Sequence, residues 1–305
     1  MFLNQSLDFF PILLKAICTT KHIFALVVVA SFLGKSMRHE SNIPIAALIS
    51  VCCLKDIAVW KVAAPRIVSN ILAKKYYVVV PKMEIEIFKK NTPSLFEVVD
   101  EEEVIKGVDL DYVMNFMPLG NKGRAGWYFQ QFLKIGLAEK LSIADEDIIV
   151  IWDADTVPLK EIIFFNEGKI NLFIGSEYHP PYFELLHRLT GFGKLFEFSF
   201  IAQSIAFKKK WLCEFLFCLS ANGKLWYEHI LEKADLSQIS GFSEYESLGT
   251  YMMQLHSDEI LISDQAWERR GSQRFKGGNL SLKWIDPFGQ ANPSLAFITF
   301  EDWVE

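Results

Sequence analysis

The early part of the sequence lacks glycine where nucleotide-binding loops would need it. No glycine occurs between Gly34 and Gly107. A dinucleotide-binding G-x-G-x-x-G turn and a Walker A loop both need glycines directly after an early strand, because the backbone must approach phosphate closely there. Both loops are therefore excluded at the first strand, and sugar nucleotidyltransferases are disfavoured for the same reason. The one G-x-G, Gly191-Phe-Gly193, has no third glycine and no preceding strand.

Several other functional signatures are also missing. The sequence contains no H-E-x-x-H and no G-x-S-x-G. The net charge is −6, so there is no basic excess to neutralise a nucleic-acid backbone. The five cysteines are odd in number and contain no C-x-x-C, which favours free thiols in a reducing compartment over a disulfide framework or a zinc site.

The N-terminus has no apolar run long enough to cross a membrane. Residues 9–34 are apolar, but Lys15, Lys21 and His22 interrupt them, and Ile23–Leu33 is shorter than the about 20 residues of a spanning helix. No small-residue cleavage site follows. We expect residues 1–42 to be an apolar extension, and three alternatives stay open: a peripheral membrane anchor, a packed helix or a loosely held segment. We expect the protein in the cytoplasm, either free or at the cytoplasmic face of a membrane.

The remaining chain alternates between strand and helix patterns, which predicts a parallel sheet with crossover helices. The fold class is therefore α/β, a Rossmann-like, mostly parallel sheet flanked by helices, in a single domain over residues 43–295. Residues 183–235 are expected to be mainly helical, and residues 240–290 to mix loops, one helix and short strands. The predicted strands are Ile43–Cys53, Tyr76–Val80, Phe96–Val99, Ile148–Trp152 and Leu172–Gly175, and the predicted helices are Val59–Lys74, Glu84–Lys90 and Trp127–Leu141.

One carboxylate pair carries the chemical signal. The chain has three D-x-D sequences: Asp109-Leu-Asp111, Asp145-Glu-Asp147 and Asp153-Ala-Asp155. The second lies in a polar turn, where capping or solvation explains it. Only the third follows directly from an apolar strand, so it lies where α/β proteins bind ligands. Paired carboxylates suit Mg²⁺ or Mn²⁺.

Four stretches in the same order resemble the GT-A-like glycosyltransferases of bacterial and viral surface polysaccharide synthesis. The similarity spans about residues 45–290. It implies a GT-A fold, a nucleotide-sugar donor, Mn²⁺ or Mg²⁺, and a glycan or lipid-linked acceptor. Ser247 and Leu248 depart from the family, which often has a bulky residue after the Tyr-Glu pair. The four stretches are Gly126–Lys134, Trp152–Thr156, Glu177–Tyr182 and Phe242–Glu246 with Gly249 and Tyr251.

The resemblance also implies roles for individual residues. Asp153 and Asp155 would hold the metal, with His256 as a candidate third ligand. Glu244, and less favourably Glu246, would be the base of an inverting reaction, unless the enzyme retains configuration. Asp56 would contact the base or ribose of the donor. The acceptor pocket would be formed by Glu177, His179 and Tyr182.

The helix that follows the glycine-rich stretch is expected to meet the donor, because a glycine-rich turn that leads into a helix can bind phosphate. Trp127, Gln130 and Lys134 are the candidate donor-binding residues, whereas Gln131 points elsewhere, towards neighbouring backbone. A structural helix packed through Trp127 is the competing interpretation.

Two other function classes stay open. A metal-dependent phosphotransferase or phosphohydrolase also uses paired aspartates, but its nucleophile normally lies near the first strand with a partner two residues later. Asp56 has Ala58 at that position. The second alternative is a non-catalytic protein of the same fold that binds sugar or nucleotide.

Overall fold

The computed structural model describes residues 45–220, 223–263, 265–275 and 282–301, and these belong to one compact unit. The predicted N-terminal extension, residues 1–42, lies outside the described residues. Within the described ranges, no helix is long and apolar enough to cross a membrane.

A five-stranded sheet forms the centre of the described part of the chain. Its order is β3-β2-β1-β4-β8, with the first four strands parallel and β8 antiparallel to β4. The predicted α/β class with a mostly parallel sheet flanked by helices is confirmed. The strands are β1 Ile45–Val51, β2 Ala73–Val80, β3 Phe96–Asp100, β4 Ile148–Trp152 and β8 Ser204–Lys208.

Two small sheets are built from strands that follow β4 in the sequence. One has the order β10-β11-β5 and the other β6-β7-β9. Because β11 pairs with β5, the folded unit extends past the predicted end at residue 295, and Glu301 belongs to it. The strands are β5 Thr156–Pro158, β6 Phe165–Asn166, β7 Lys169–Leu172, β9 Ile260–Ile262, β10 Ala266–Glu268 and β11 Leu295–Thr299.

The helices pack their apolar residues against the central sheet and against one another. In α4 eleven of the sixteen residues are buried, because this helix contacts β1 on one side and other helices on the other. The helices are α1 Ile57–Asn70, α2 Ile85–Asn91, α3 Leu110–Phe116, α4 Ala125–Lys140, α5 Pro180–Thr190, α6 Lys209–Leu219, α7 Trp226–Lys233, α8 Glu244–Leu255, α9 Gly271–Arg274 and α10 Leu282–Ala291.

Three predictions need correction. Residues 183–235 contain β8 as well as helices, because a buried run of five apolar-rich residues does not reveal its periodicity. The strand predicted at Leu172–Gly175 ends at Leu172, and Gly175 makes only an isolated bridge with Ser199. The glycine-rich stretch before the predicted helix, with Gly120 and Gly123, is a short 3₁₀ segment, Leu119–Arg124, rather than the expected turn.

Gly249 lets α8 approach the loop before β8. A Cβ atom at this position would overlap the ring of Phe200, which is fully buried. We expect Gly249→Ala to lower the free energy of unfolding by about 1–3 kcal/mol, because overpacking forces neighbouring atoms apart. Urea unfolding of the full chain measures this value.

Gly126→Ala in α4 is the matched control, since an added Cβ there has nothing within 4 Å. Alanine favours a helix over glycine by about 0.5–1 kcal/mol, so this variant should unfold at the same or higher urea concentration. Equal destabilisation by the two substitutions would contradict the packing argument.

Candidate active site

The carboxylate pair lies where β4 leaves the central sheet. All five residues of β4 are buried, so the strand gives the pair a rigid base. The indole Nε1 of Trp152 donates to the carbonyl of Thr156 at 2.9 Å, and the amide of Thr156 donates to the carbonyl of Asp153 at 3.1 Å. These bonds close a tight turn around Asp153 and Asp155 at the carboxyl edge of the sheet.

Asp153 is bound through a single carboxylate oxygen. Its Oδ1 accepts from Lys134 Nζ at 2.5 Å and from the Tyr245 hydroxyl at 2.6 Å. Lys134 Nζ also donates to Glu244 Oε1 at 2.7 Å and lies 3.3 Å from the Tyr245 hydroxyl. The Lys134 side chain is 5% exposed, so its charge is balanced inside the protein by two carboxylates.

Asp155 is crowded by other negative charges. Its backbone carbonyl accepts from the amide of Phe300 at 2.9 Å, which ties it to the end of β11. Burial raises the pKa of Asp155 to about 7, and the charges of Asp153, Glu301 and Asp56 add to the rise, while Lys134 opposes it. Ionisation of Asp155 at neutral pH therefore lowers the stability of the folded protein.

Three residues that the sequence did not suggest complete this edge. Arg269 Nε donates to Glu301 Oε2 at 2.7 Å, and its Nη2 donates to Glu177 Oε2 at 2.8 Å. The side-chain Nε2 of Gln203 donates to Glu301, and its backbone carbonyl accepts from the amide of Asp153 at 3.0 Å. Its backbone φ is +60°, a strained value for glutamine of the kind that clusters at functional sites.

The donor atoms at this edge fit a hard divalent cation. Such ions prefer carboxylate oxygens, and Mg²⁺ usually takes one or two carboxylates together with phosphate oxygens and water. Among residues 45–220, 223–263, 265–275 and 282–301, no three His, Cys, Asp or Glu side chains are grouped closely enough to hold an ion. Asp153 and Asp155 can therefore supply part of a coordination shell, with ligand oxygens completing it.

His256 does not join the pair. It follows the last residue of α8, whereas Glu244 is the first, and twelve helical residues span about 18 Å. Its ring stacks on Trp211 at 4.7 Å, and its Nε2 lies 2.9 Å from Glu214 Oε2. The structure thus separates His256 from the pair by the length of α8.

Asp56 lies at the same edge of the sheet as the pair. It ends the short 3₁₀ turn after β1, the strand next to β4, and its charge contributes to the raised pKa of Asp155. Its carboxylate also forms an ion pair with Lys55 at 3.8 Å. The structure thus brings Asp56 towards Asp155, as expected for residues that end neighbouring parallel strands.

The predicted donor-binding residues on α4 separate into two groups. Lys134 is engaged with Asp153, so it acts at the pair rather than on an exposed surface. Trp127 is half-buried, stacked on Tyr182 at 6.1 Å, and has the Arg124 guanidinium 5.1 Å from its ring centre. Gln130 is half-buried.

The neighbouring Gln131 contacts backbone, as the helix pattern predicted. Its Nε2 donates to the Trp127 carbonyl at 3.1 Å, and its Oε1 accepts from the amide of Glu244 at 2.9 Å. Gln131 therefore fixes the first turn of α8 against α4.

The predicted acceptor residues line the start of α5. His179 precedes Pro180 at the N-terminus of this helix, and its Nε2 lies 2.6 Å from the Ser240 carbonyl. The ring of Tyr182 packs edge-on against His179 at 4.6 Å. Burial raises the pKa of Tyr182, so its hydroxyl stays protonated. Through Arg269, Glu177 connects this region to Glu301 beside the pair.

The two candidate bases differ in their surroundings. Glu246 Oε2 accepts from the Ser199 hydroxyl at 2.5 Å and from the Phe200 amide at 3.1 Å, and its carboxylate is 2% exposed. These bonds occupy Glu246 in holding the loop before β8. Glu244 instead meets Lys134 beside Asp153, and burial raises its pKa while Lys134 lowers it.

The other two D-x-D sequences have structural roles. The Asp109 carboxylate accepts from the amide of Tyr112 at 2.7 Å and caps α3. Asp147 accepts from the amide of Ala144 at 2.9 Å and closes the turn before β4. The interpretation of Asp145-Glu-Asp147 as a capped polar turn is confirmed.

Comparisons with known proteins find similarity among solved structures alone. A scan against protein-family models finds no match, and a search of the curated proteins finds no relative. An active-site mutant of LgtC is similar at 11% identity and a TM-score of 0.46, over 85% of this chain and 88% of that one. The galactosyltransferase LgtC with donor and acceptor sugar analogues is similar at 11% identity and 0.42, over 83% and 86%.

Mouse xyloside xylosyltransferase 1 in its apo form is similar at 12% identity and a TM-score of 0.45, over 84% of this chain and 98% of that one. At such identities and scores, the side chains of this chain have to carry the assignment of roles.

The raised pKa of Asp155 predicts a pH-dependent stability. The folded pKa of about 7 lies above the ordinary 3.8, so the folded state binds more protons between these values and stability falls as pH rises through them. One pKa unit corresponds to about 1.4 kcal/mol, which gives about 4 kcal/mol at most. We expect Asp155→Asn to flatten the fall between pH 5 and pH 8 in urea unfolding with a chelator present.

Asp111→Asn, at an exposed position of α3, is the control for removing one negative charge. Its free energy of unfolding should fall between pH 5 and pH 8 as steeply as that of wild type. If Asp155→Asn and wild type lose the same free energy between pH 5 and pH 8, the account of a crowded, buried carboxylate is wrong.

Proposed function

We propose that this chain is a metal-dependent, GT-A-like glycosyltransferase that moves a sugar from a nucleotide-sugar donor to a glycan or lipid-linked acceptor. The observation that carries the proposal is the position of Asp153 and Asp155 at the carboxyl end of a central strand. Asp56 follows the neighbouring strand, and its charge reaches Asp155. This edge is where open α/β sheets bind nucleotides.

Mn²⁺ or Mg²⁺ is the proposed cofactor, held by Asp153 and Asp155. When bound, the ion would neutralise charge on the leaving diphosphate as the sugar bond breaks. The crowding of carboxylates around Asp155 supports this assignment, because a cation would relieve the repulsion that, in addition to burial, raises its pKa.

The donor would lie between the ends of β1 and β4. Asp56 would accept from the base or ribose, and the start of α4, with Trp127 and Gln130, would bound the donor on the other side. Lys134 is proposed to serve the donor indirectly, since its ammonium is already bound to Asp153 and Glu244.

The acceptor would approach along α5, past Glu177, His179 and Tyr182. This region is connected to the pair through Arg269 and Glu301, so an acceptor hydroxyl there could reach the reacting sugar. If the reaction inverts configuration, Glu244 is the proposed base, because it lies beside Asp153, whereas Glu246 is occupied by Ser199 and Phe200. By resemblance, polysaccharide synthesis in the cytoplasm or at its membrane face is the proposed setting.

Binding of a nucleotide tests the proposal. Calorimetric titration of the full chain with UDP, GDP and CMP, with and without Mn²⁺, should show metal-dependent binding of one of them. The Asp153→Asn/Asp155→Asn variant should bind that nucleotide at least about tenfold more weakly, because the metal loses its ligands.

Asp109→Asn/Asp111→Asn is the matched control, since asparagine also caps a helix and this D-x-D lies at the N-terminus of α3. The control should bind like wild type. No binding of any nucleotide by folded wild type in the presence of Mn²⁺ would overturn the proposal. Metal-dependent release of phosphate from the nucleotide would favour the phosphohydrolase alternative. If the chain binds nucleotide sugars but does not turn them over, the non-catalytic alternative would be favoured.

The two glutamates should respond differently to substitution. Loss of a general base costs about 10²–10⁴-fold in rate, so Glu244→Gln should lower kcat by that factor in an inverting reaction. Glu246→Gln should instead lower the free energy of unfolding by about 1–3 kcal/mol, because buried donors lose a charged acceptor. Steady-state kinetics and urea unfolding of both variants measure these effects, and wild-type kcat in Glu244→Gln would exclude the base role.

A further inference from the structure

Asp153 is held by two donors that meet at the same oxygen. Lys134 Nζ lies 2.5 Å and the Tyr245 hydroxyl 2.6 Å from Oδ1. A carboxylate held at one oxygen by two fixed donors loses its freedom to rotate. The arrangement leaves Oδ2 as the oxygen through which Asp153 can bind a cation.

The two donors are themselves rigid. Lys134 and Tyr245 are both buried, on α4 and α8, and Lys134 Nζ lies 4.6 Å from the centre of the Tyr245 ring. Lys134 is also bound to Glu244, which precedes Tyr245 in the same helix turn. The Asp153 carboxylate is therefore fixed by two helices that come from distant parts of the sequence.

The direction of each hydrogen bond is defined by chemistry. An ammonium can only donate, so Lys134 donates to Asp153, to Glu244 and to the phenol oxygen. The phenol then has its proton available for Asp153.

We infer that Tyr245, together with Lys134, is a positioning residue that holds Asp153 so that it binds the catalytic cation through Oδ2 alone. This inference rests on the proposed function. Partners that orient a ligand carboxylate usually change metal affinity by about 10- to 100-fold when they are removed. A tyrosine that merely filled the core would affect stability and leave metal affinity unchanged.

Tyr245→Phe is the decisive variant because it removes only the hydroxyl. A substitution of Lys134 would leave Asp153 and Glu244 buried without a counter-charge, and such a chain is at risk of not folding. Tyr76→Phe is the matched control. Tyr76 is a buried tyrosine of β2 whose hydroxyl donates to the Ile71 carbonyl at 2.7 Å. Ile71 lies just before β2, at the amino ends of the parallel strands, whereas Asp153 follows the carboxyl end of β4.

The experiment titrates Mn²⁺ into the full chain with UDP, GDP and CMP in turn and follows free Mn²⁺ by electron paramagnetic resonance. Urea unfolding of the same samples, without metal, gives the stability. We expect the Mn²⁺ dissociation constant of Tyr245→Phe to rise about tenfold, with that of Tyr76→Phe within twofold of wild type, while both variants lose comparable stability.

Each other outcome overturns the inference. Wild-type affinity in Tyr245→Phe would show that the hydroxyl does not position the ligand. Equal weakening in Tyr245→Phe and Tyr76→Phe would show a general effect of losing a buried hydroxyl. If wild type itself binds no Mn²⁺ with any of the three nucleotides, the proposed function fails together with the inference, and this result is distinct from the other two.

Discussion

The ion pairs of Lys134 connect the elements that form the site. Its ammonium lies inside the protein between Asp153, at the end of β4, and Glu244, at the start of α8. Removing one partner of a buried pair typically costs about 3–5 kcal/mol, because the remaining charge is left without compensation. The three elements are therefore constrained together, and the position of Asp153 is set by packing as well as by the strand that carries it.

The same edge of the sheet has more negative than positive side chains. The positive side chains are Lys134 and Arg269. The negative side chains are Asp153, Asp155, Glu177, Glu244 and Glu301. Burial, together with this repulsion, raises the pKa of Asp155 to about 7. Such an arrangement lowers the stability of the protein without a bound cation. Binding of a cation with a diphosphate would relieve the repulsion and stabilise the folded state.

The central features of the fold could be predicted from local patterns. The strand before Asp153 is an uninterrupted apolar run, and the polar residues that follow it mark the sheet edge. The Lys134 position also carried a signal, because a charged residue lies among the buried residues of α4. Its partners could not be predicted, since Glu244 is 110 residues away in sequence.

The errors have related physical causes. Glu301 and Arg269 reach the site only because β11 folds back onto β5, and this long-range pairing leaves no local pattern. His256 has the right chemistry for a metal ligand, but the length of α8 separates it from the pair. The sequence predicts the chemistry of the side chains and their order along the chain. The distances between segments that are remote in sequence can be taken only from the folded structure.

We propose that Asp153 and Asp155 together hold a divalent cation with a nucleotide diphosphate. Crystals of the full chain grown with Mn²⁺ and the nucleotide that binds in titration can be measured at the manganese absorption edge. We expect one anomalous peak within about 2.0–2.6 Å of carboxylate oxygens of both aspartates, with diphosphate oxygens completing the shell. A nucleotide bound without manganese at this pair, or a peak at His256 and Glu214 instead, would contradict this proposal.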